Sequence, residues 1–159
     1  LWLTACSPAC GASLPWWWDT QIEAHNLYPV LAAAARFLVG ENRIGRFGEC
    51  VGKNLPKQGL EVSGIMDGQG ARLYVFRPSW LTLPSLRQGP MLGEPLPLEL
   101  TGLVDGKYRA EFWDARLGRV FAKRELAAAG GTLALQLPAH DGEYAIKLDR
   151  AEYARPGLK

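Results

Sequence analysis

From Leu27 to Leu38 the apolar residues Leu27, Val30, Leu31, Ala34, Ala35 and Leu38 recur at offsets 0, 3, 4, 7, 8 and 11. That spacing is the one-sided stripe of an amphipathic helix. The flanks agree with it. Asn26 offers a side-chain oxygen to the first turn, Pro29 falls where a missing N–H costs little, Arg36 sits near the C-terminal end, and Gly40 suits the position just past the helix. Ahead of the helix, Ala12-Ser13-Leu14-Pro15-Trp16-Trp17-Trp18 is short, apolar and aromatic, which predicts a buried strand leading through Asp19 and His25 into the helix. A strand-loop-helix unit of this kind needs neighbouring strands to cover it, and the pattern supplies no second such unit.

After Gly48 the periodicity changes. Gly45, Gly48, Gly52, Pro56 and Gly59 interrupt a run of mixed charge, so 1–48 reads as one zone and 49–59 as a linker. Alternating segments follow over 60–65, 71–77, 96–103, 107–113, 118–125, 132–137 and 143–148, clearest in Tyr108, Ala110 and Phe112, in Leu133, Leu135 and Leu137, and in Tyr144, Ile146 and Leu148. Asp67-Gly68-Gln69-Gly70, Asp105-Gly106, Gly118, Gly130-Gly131 and Asp141-Gly142 lie between them as turns. Short strands with regular turns predict a mainly β fold: an immunoglobulin-like antiparallel β-sandwich over 60–150, without the Cys-Trp-Cys spacing of antibody domains, followed by a tail over 151–159. A long Pro-containing connection spans 78–95.

Composition narrows the function classes. With 159 residues, 48% apolar and 21% charged, the chain has material for one ordinary core. Its 18 Lys and Arg against 16 Asp and Glu give a net charge of +2, too little to grip a phosphate backbone or an anionic membrane, so neither nucleic acid nor membrane is an expected partner. Residues 1–18 carry no charge, but Pro8, Gly11, Ser13 and Pro15 break any spanning helix and no basic region precedes them. Leu3-Thr4-Ala5-Cys6 looks like a lipobox but lacks the hydrophobic region before it. The opening reads instead as one meant to be buried, in a chain whose upstream part is missing. Cys6, Cys10 and Cys50 form neither a disulfide framework nor a zinc spacing, and read as buried or free thiols with one bridge possible.

Candidate chemistry is sparse. His25 and His140, the two histidines, fall in different zones and build neither a metal cluster nor a nucleophile-base pair, so no metal and no cofactor is expected. Gly64, Gly68 and Gly70 lack the Lys-Ser/Thr of a phosphate loop and sit in a hairpin. In the sandwich, Tyr74, Phe76, Trp80, Tyr108, Trp113 and Tyr144 either fill the core or form an exposed row for polysaccharide. Alternation turns Tyr108 and Tyr144 inward. Trp113 has the opposite parity to Phe112 and is the candidate for a domain-interface or ligand contact.

Trp16-Trp17-Trp18-Asp19, then Ile22, Asn26-Leu27-Tyr28 and Ala35-Arg36-Phe37-Leu38-Val39-Gly40, form a pattern that resembles the end of the catalytic barrel in glycoside hydrolases related to family 5 and its clan. There, a Trp-rich last strand runs into an Asn-Leu-Tyr loop and a last helix ending in Phe-Leu-x-Gly. Trp2 and 9–12 look like the elements leading into it. The second zone resembles the small β-sandwich behind many such barrels, in Gly106-Lys107-Tyr108, in Phe112-Trp113-Asp114 with Gly118, and in Leu135-Gln136-Leu137-Pro138 before Tyr144-Ala145-Ile146-Lys147-Leu148.

The resemblance implies that 1–48 is the end of a (β/α)₈ barrel whose active site lies at the C-terminal ends of its strands. It implies a poly- or oligosaccharide ligand and an exported location, secreted or periplasmic. Trp16, Trp17, Trp18 and Asp19 would then contact substrate: an indole face suits the axial C–H groups of a pyranose, while a carboxylate takes its hydroxyls. Retaining hydrolysis needs two carboxylates about 5 Å apart, which the family carries on strands preceding everything present here. Asp19, Glu23, Glu41 and Glu49 match none of the family's catalytic motifs. The expectation is a fragment without its own catalytic pair, or alternatively a noncatalytic carbohydrate-binding or structural sandwich. In either case the helix stripe should stand exposed or collapse onto the sandwich.

Overall fold

A computed structural model describes residues 1–9, 18–82 and 89–152 of the chain. Among these, α1 (Trp2–Ala5), a π-helical segment (Trp18–Glu23), α2 (Tyr28–Leu38) and α3 (Pro78–Thr82) accompany eight strands: β1 (Glu49–Leu55), β2 (Leu60–Asp67), β3 (Gly70–Phe76), β4 (Leu96–Thr101), β5 (Gly106–Asp114), β6 (Arg119–Ala129), β7 (Thr132–Leu137) and β8 (Tyr144–Arg150). The strand expected over 12–18 lies outside the described residues except for Trp18, which opens the π-helix. Most of the expected tail also lies outside them.

The strands make one antiparallel sheet in the order β1-β2-β3-β8-β5-β6-β7-β4. It curls because β6, 11 residues long, changes partner along its length. Most of β6 pairs with β5, with a register shift between Phe112 and Trp113, while its end pairs with β7 through Ala128 opposite Leu133 and Ala129 opposite Thr132. A bulge bends and twists a strand, and the curl brings two inner faces together. Leu73, Val75, Tyr108, Ala110, Phe112, Ile146 and Leu148 on one side meet Leu98, Leu100, Leu133, Leu135 and Leu137 on the other. The seven strands predicted by alternation are present, and the mainly β, sandwich-like architecture follows from them.

The expected linker is a strand. Over 49–55 only Val51 is buried, because β1 is an edge strand with a single neighbour, β2, and its outward positions carry Cys50, Gly52 and Asn54. Without a second covered face the segment shows no apolar alternation. Gly59, at φ +62°, then turns the chain back into β2.

α2 forms where the stripe predicts it, but it is rotated. Its buried residues are Ala33, Ala34 and Phe37, while Leu27, Tyr28 and Val30 stay exposed. Asn26 does not cap it. The π-helix runs almost into α2, with the Leu27 N–H donating to the Ile22 carbonyl, and Asn26 takes the joint in a left-handed conformation at φ +46°. Val39 is the C-cap, and Gly40 follows at φ +74° as expected.

α1 and α2 lie on the outer face of the sheet. Register places Tyr74, Ala145, Trp113 and Val120 in one row across β3, β8, β5 and β6, and Arg72, Lys147, Glu111 and Lys123 in the parallel row beside it. The helices cover the apolar row: Trp2, Cys6, Ala33, Ala34 and Phe37 pack with Tyr74, Phe76, Ala115 and Ala145. This accounts for β3, which is buried at every position because the core covers one face and the helices the other.

Candidate functional site

Trp16 and Trp17 lie outside the described residues. Trp18 begins the π-helix, whose backbone carries Asp19 and Glu23 into solvent while Ile22 anchors it by burial. The Asp19 carboxylate accepts the Thr20 N–H at 2.9 Å, and the residue is exposed. Beyond the turn, the exposed Tyr28 donates its hydroxyl to the Glu23 carboxylate, and that hydrogen bond raises the phenol above its usual range. Asp19, Glu23 and Tyr28 therefore give this end of the molecule two exposed carboxylates, one of them holding the Tyr28 hydroxyl, and one exposed aromatic ring, directly after the Trp run. Solvated acids and a ring of this kind can hydrogen-bond and stack on a polyol.

Trp113 points outward, as its parity predicts, and is taken up by α2. Its ring meets Phe37 edge-on at 5.8 Å, Lys147 Nζ stands 5.2 Å from the ring centre, and the indole N–H donates to Glu111 at 3.3 Å. It is an interface residue between helix and sheet. Tyr74, Phe76, Trp80, Tyr108 and Tyr144 are all buried, so among these sandwich aromatics none presents a free face to solvent.

The junction that fixes the helices centres on the β5–β6 turn. Trp2 Nε1 donates to the Ala115 carbonyl at 2.9 Å, Arg36 donates to the Leu117 carbonyl at 3.0 Å, and Asp114 Oδ1 accepts the N–H groups of Arg116 and Leu117 at 2.8 Å each. Trp2 also stacks on Tyr74 at 6.2 Å and meets Phe37 edge-on at 5.2 Å. The motif residues Asp114 and Gly118 thus hold a turn against which α2 rests.

The carboxylates considered from sequence are dispersed. Glu41 is nearly enclosed and ion-paired with Arg72 and Lys147 at 2.9 Å each. Burial pushes its carboxyl up, but these two cations outweigh burial and hold it below the usual glutamate range. Glu49 is exposed on β1, and Asp19 and Glu23 stand on the π-helix. His25 is exposed, whereas His140 stacks on Phe121 at 4.1 Å with Nε2 3.5 Å from Asp114. No group of three potential metal ligands occurs among the described residues. Burial pushes the Cys6 thiol up to about 12, while Cys50 is exposed, and neither forms a disulfide. Gly64 and Gly70 serve strand packing, since a Cβ on either would stand 2.2 Å from a carbonyl oxygen across the sheet. A shallow pocket of about 360 Å³, lined by Lys107, Arg109 and Glu125 among others, includes neither Asp19 nor Trp113. Among the described residues no helix is long and apolar enough to cross a membrane.

The residues that sequence reasoning missed are Arg72, Lys147 and Asp149. Their outward parity on strands with core-facing neighbours is legible, but their meeting with Glu41 depends on how α2 ends.

No protein-family profile and no curated protein matches the sequence. Among solved structures the chain is similar to a glycoside hydrolase family 30 endoxylanase from Clostridium papyrosolvens, at 14% identity and a TM-score of 0.38. It is likewise similar to a glycoside hydrolase family 30 subfamily 8 xylanase from Clostridium acetobutylicum, at 16% identity and a TM-score of 0.38. Each likeness covers 62% of this chain and 22% of the xylanase, so it spans under a quarter of the length of those proteins.

Proposed function

We propose that this chain is the C-terminal part of a polysaccharide-active glycoside hydrolase: the last strand, loop and helix of a catalytic barrel, followed by an accessory β-sandwich. The observation that carries this reading is the two-sidedness of α2. Ala33, Ala34 and Phe37 are buried on the sheet, while Tyr28 and Ala35 on the opposite side of the helix are exposed, Tyr28 at 48%. Such a helix closes one apolar layer and offers a second apolar face to another, which is what the last helix of a barrel abutting a sandwich requires. The Trp16-Trp17-Trp18-Asp19 to Asn26-Leu27-Tyr28 pattern supports the same assignment.

In this reading Trp16, Trp17, Trp18 and Asp19 form part of a glycan-binding wall, with Glu23 and Tyr28 beside it, and Trp113 holds the sandwich to the helix. The catalytic carboxylates belong to upstream strands, so the isolated chain binds without cleaving. The second reading, a noncatalytic module, draws on the firm seating of Trp2 and Phe37 upon Tyr74 and Trp113. Titrating the purified chain with soluble β-glucans, mannans and galactans, following tryptophan fluorescence and assaying hydrolysis in the same samples, tests the proposal. Binding without cleavage is expected. Absence of binding to all of them counts against the glycan wall. Reading the coding sequence upstream of Leu1 separates enzyme from module, because the enzyme requires a strand ending in Asn-Glu and a later one carrying a lone Glu.

A further inference from the structure

Between the end of α2 and the charged row of the sheet lies a cluster of ionised side chains that neither the core nor the proposed glycan wall uses. Glu41 contacts Arg72 of β3 and Lys147 of β8 at 2.9 Å each, with Arg43 at 3.8 Å. Arg72 also holds both oxygens of Asp149 at 3.0 Å. Arg46 holds Asp67 at 2.9 Å and lies 4.0 Å from Asp149. Arg43 donates to the carbonyls of Ala5 and Ser7 at 2.6 and 3.4 Å, which ties α1 to the same cluster. Lys147 Nζ stands 4.9 Å from the Phe37 ring and 5.2 Å from that of Trp113, so one ammonium bridges helix, sheet and Glu41.

The arrangement is lopsided. Four cations, Arg43, Arg46, Arg72 and Lys147, face three carboxylates, Glu41, Asp67 and Asp149, and Glu41 alone touches three of the four. Arg72 keeps Asp149 and Arg46 keeps Asp67 if Glu41 loses its charge, but the Glu41 contacts of Lys147 and Arg43 are lost. A poorly hydrated cation without its partner is costly, and lifting the covering layer returns it to water.

We propose that Glu41 is the trigger of an acid-released latch: its ionised carboxylate holds α1, α2 and the 41–47 segment on the sheet, and its protonation frees that layer while the sandwich stays folded. The charged and titratable groups around it are Arg43 and Arg46 on its own segment, Cys6 after α1, Asp67 at the β2 end, Arg72 on β3, and Lys147 and Asp149 on β8. Arg109 and Glu111 of β5 stand in register with Asp149 and Lys147.

The signs are consistent. Glu41 sits below the ordinary glutamate value, so its stabilisation is complete above that value and is lost as pH falls through the lowered one. Asp149 is shifted the other way: burial raises it, with Arg72 opposing and Glu41 adding. Its protonation therefore favours the folded form. Asp67 is lowered too, its burial outweighed by Arg46 and by the Gln69 and Phe47 N–H groups, but it holds only the 41–47 segment, so release of α1 and α2 follows Glu41.

Amide exchange on the full chain, with protection corrected for intrinsic rates at each pH, tests this by comparing α2 with β7. On acidification, α2 should lose protection by about tenfold or more while β7 keeps it. Glu41→Gln should show the low α2 protection already at neutral pH with no further acid step, whereas Asp149→Asn should keep the wild-type acid step. Loss of α2 and β7 together at one pH would overturn the latch, as would wild-type α2 protection in Glu41→Gln. If that variant does not fold, the wild-type titration and Asp149→Asn decide the matter alone.

Discussion

Gly118 lies directly against Ala33: a Cβ on the glycine would stand 2.4 Å from the Ala33 Cα and 2.8 Å from its Cβ. The β5–β6 turn and α2 meet backbone to backbone, and the small residues on both sides permit it. Gly118 also sits at φ +61°, a conformation that costs an L-residue about 1 kcal/mol or more. Gly118→Ala should therefore destabilise the chain by about 2 to 4 kcal/mol, the clash adding to the backbone strain. Gly130→Ala is the control, because Gly130 has the same φ of +61° with nothing within 4 Å. Urea unfolding should place Gly130→Ala near the strain cost alone, and equal losses for the two would mean that the helix does not seat on the turn.

Phe37 is fully buried, and its ring meets both Trp2 and Trp113 edge-on at 5.2 and 5.8 Å. It is the large side chain that α2 contributes to the sheet. Phe37→Ala should cost about 3 to 5 kcal/mol and loosen the layer around the indoles. The expected readout is a red shift of tryptophan emission at neutral pH with the far-ultraviolet β signal retained. An unshifted spectrum with an unchanged unfolding midpoint would show that α2 is held by something other than this ring.

These two sites show how far the sequence carried. The alternating strands were legible where one face meets the core and one meets water, as in β4, β5 and β7, while β3, covered on both faces, reads as a short apolar run; the outward direction of Trp113 followed from Phe112 by parity alone. β1 was not, since an edge strand holding Gly52 and Lys53 beside Val51 buries too little to alternate. The existence of α2 was readable, but its rotation was not. Tyr28–Leu38 is apolar on nearly every side, and the buried face was decided by Gly118, whose closeness only alanines tolerate, rather than by the larger Leu31 and Leu38, which stay half-buried. Glu41 gave no local sign of its role, since Arg72 lies 31 positions away and the glycine-rich context around it resembles any exposed turn. The glycan-facing residues were named from a resemblance in pattern, and Trp16 and Trp17 lie outside the described residues.

The two described cysteines should differ sharply in chemistry. Cys6 is 1% exposed and its thiol is pushed up to about 12, while Cys50 is exposed on the outward side of the edge strand. At pH 8 a thiol at about 12 is ionised in roughly one molecule in ten thousand, and the thiolate is the reactive form. Alkylation of the native chain followed by peptide mapping should label Cys50 promptly and Cys6 only after denaturant is added. Prompt labelling of Cys6 at neutral pH would mean that the layer over Tyr74 opens far more readily than its packing implies. Labelling of Cys6 that appears only under acid pretreatment would accord with release through Glu41.

The glycan wall and the helix-sheet interface make opposite predictions for the tryptophans. If Trp16 and Trp18 stack on sugar rings, Trp16→Ala and Trp18→Ala should each weaken binding by about ten- to thirtyfold while leaving the unfolding midpoint near that of the wild type. Asp19→Asn should weaken it less, because its hydrogen bond to the Thr20 N–H survives in the amide and only one polar contact to a sugar hydroxyl changes character. Trp113→Ala should do the reverse: its ring is enclosed by Phe37 and Lys147, so stability falls and affinity measured on the folded fraction holds. Calorimetric titration of each variant, paired with its unfolding curve, separates the two classes. Loss of affinity in Trp113→Ala with full stability would move the binding surface from the Trp run to the sandwich and favour the noncatalytic module.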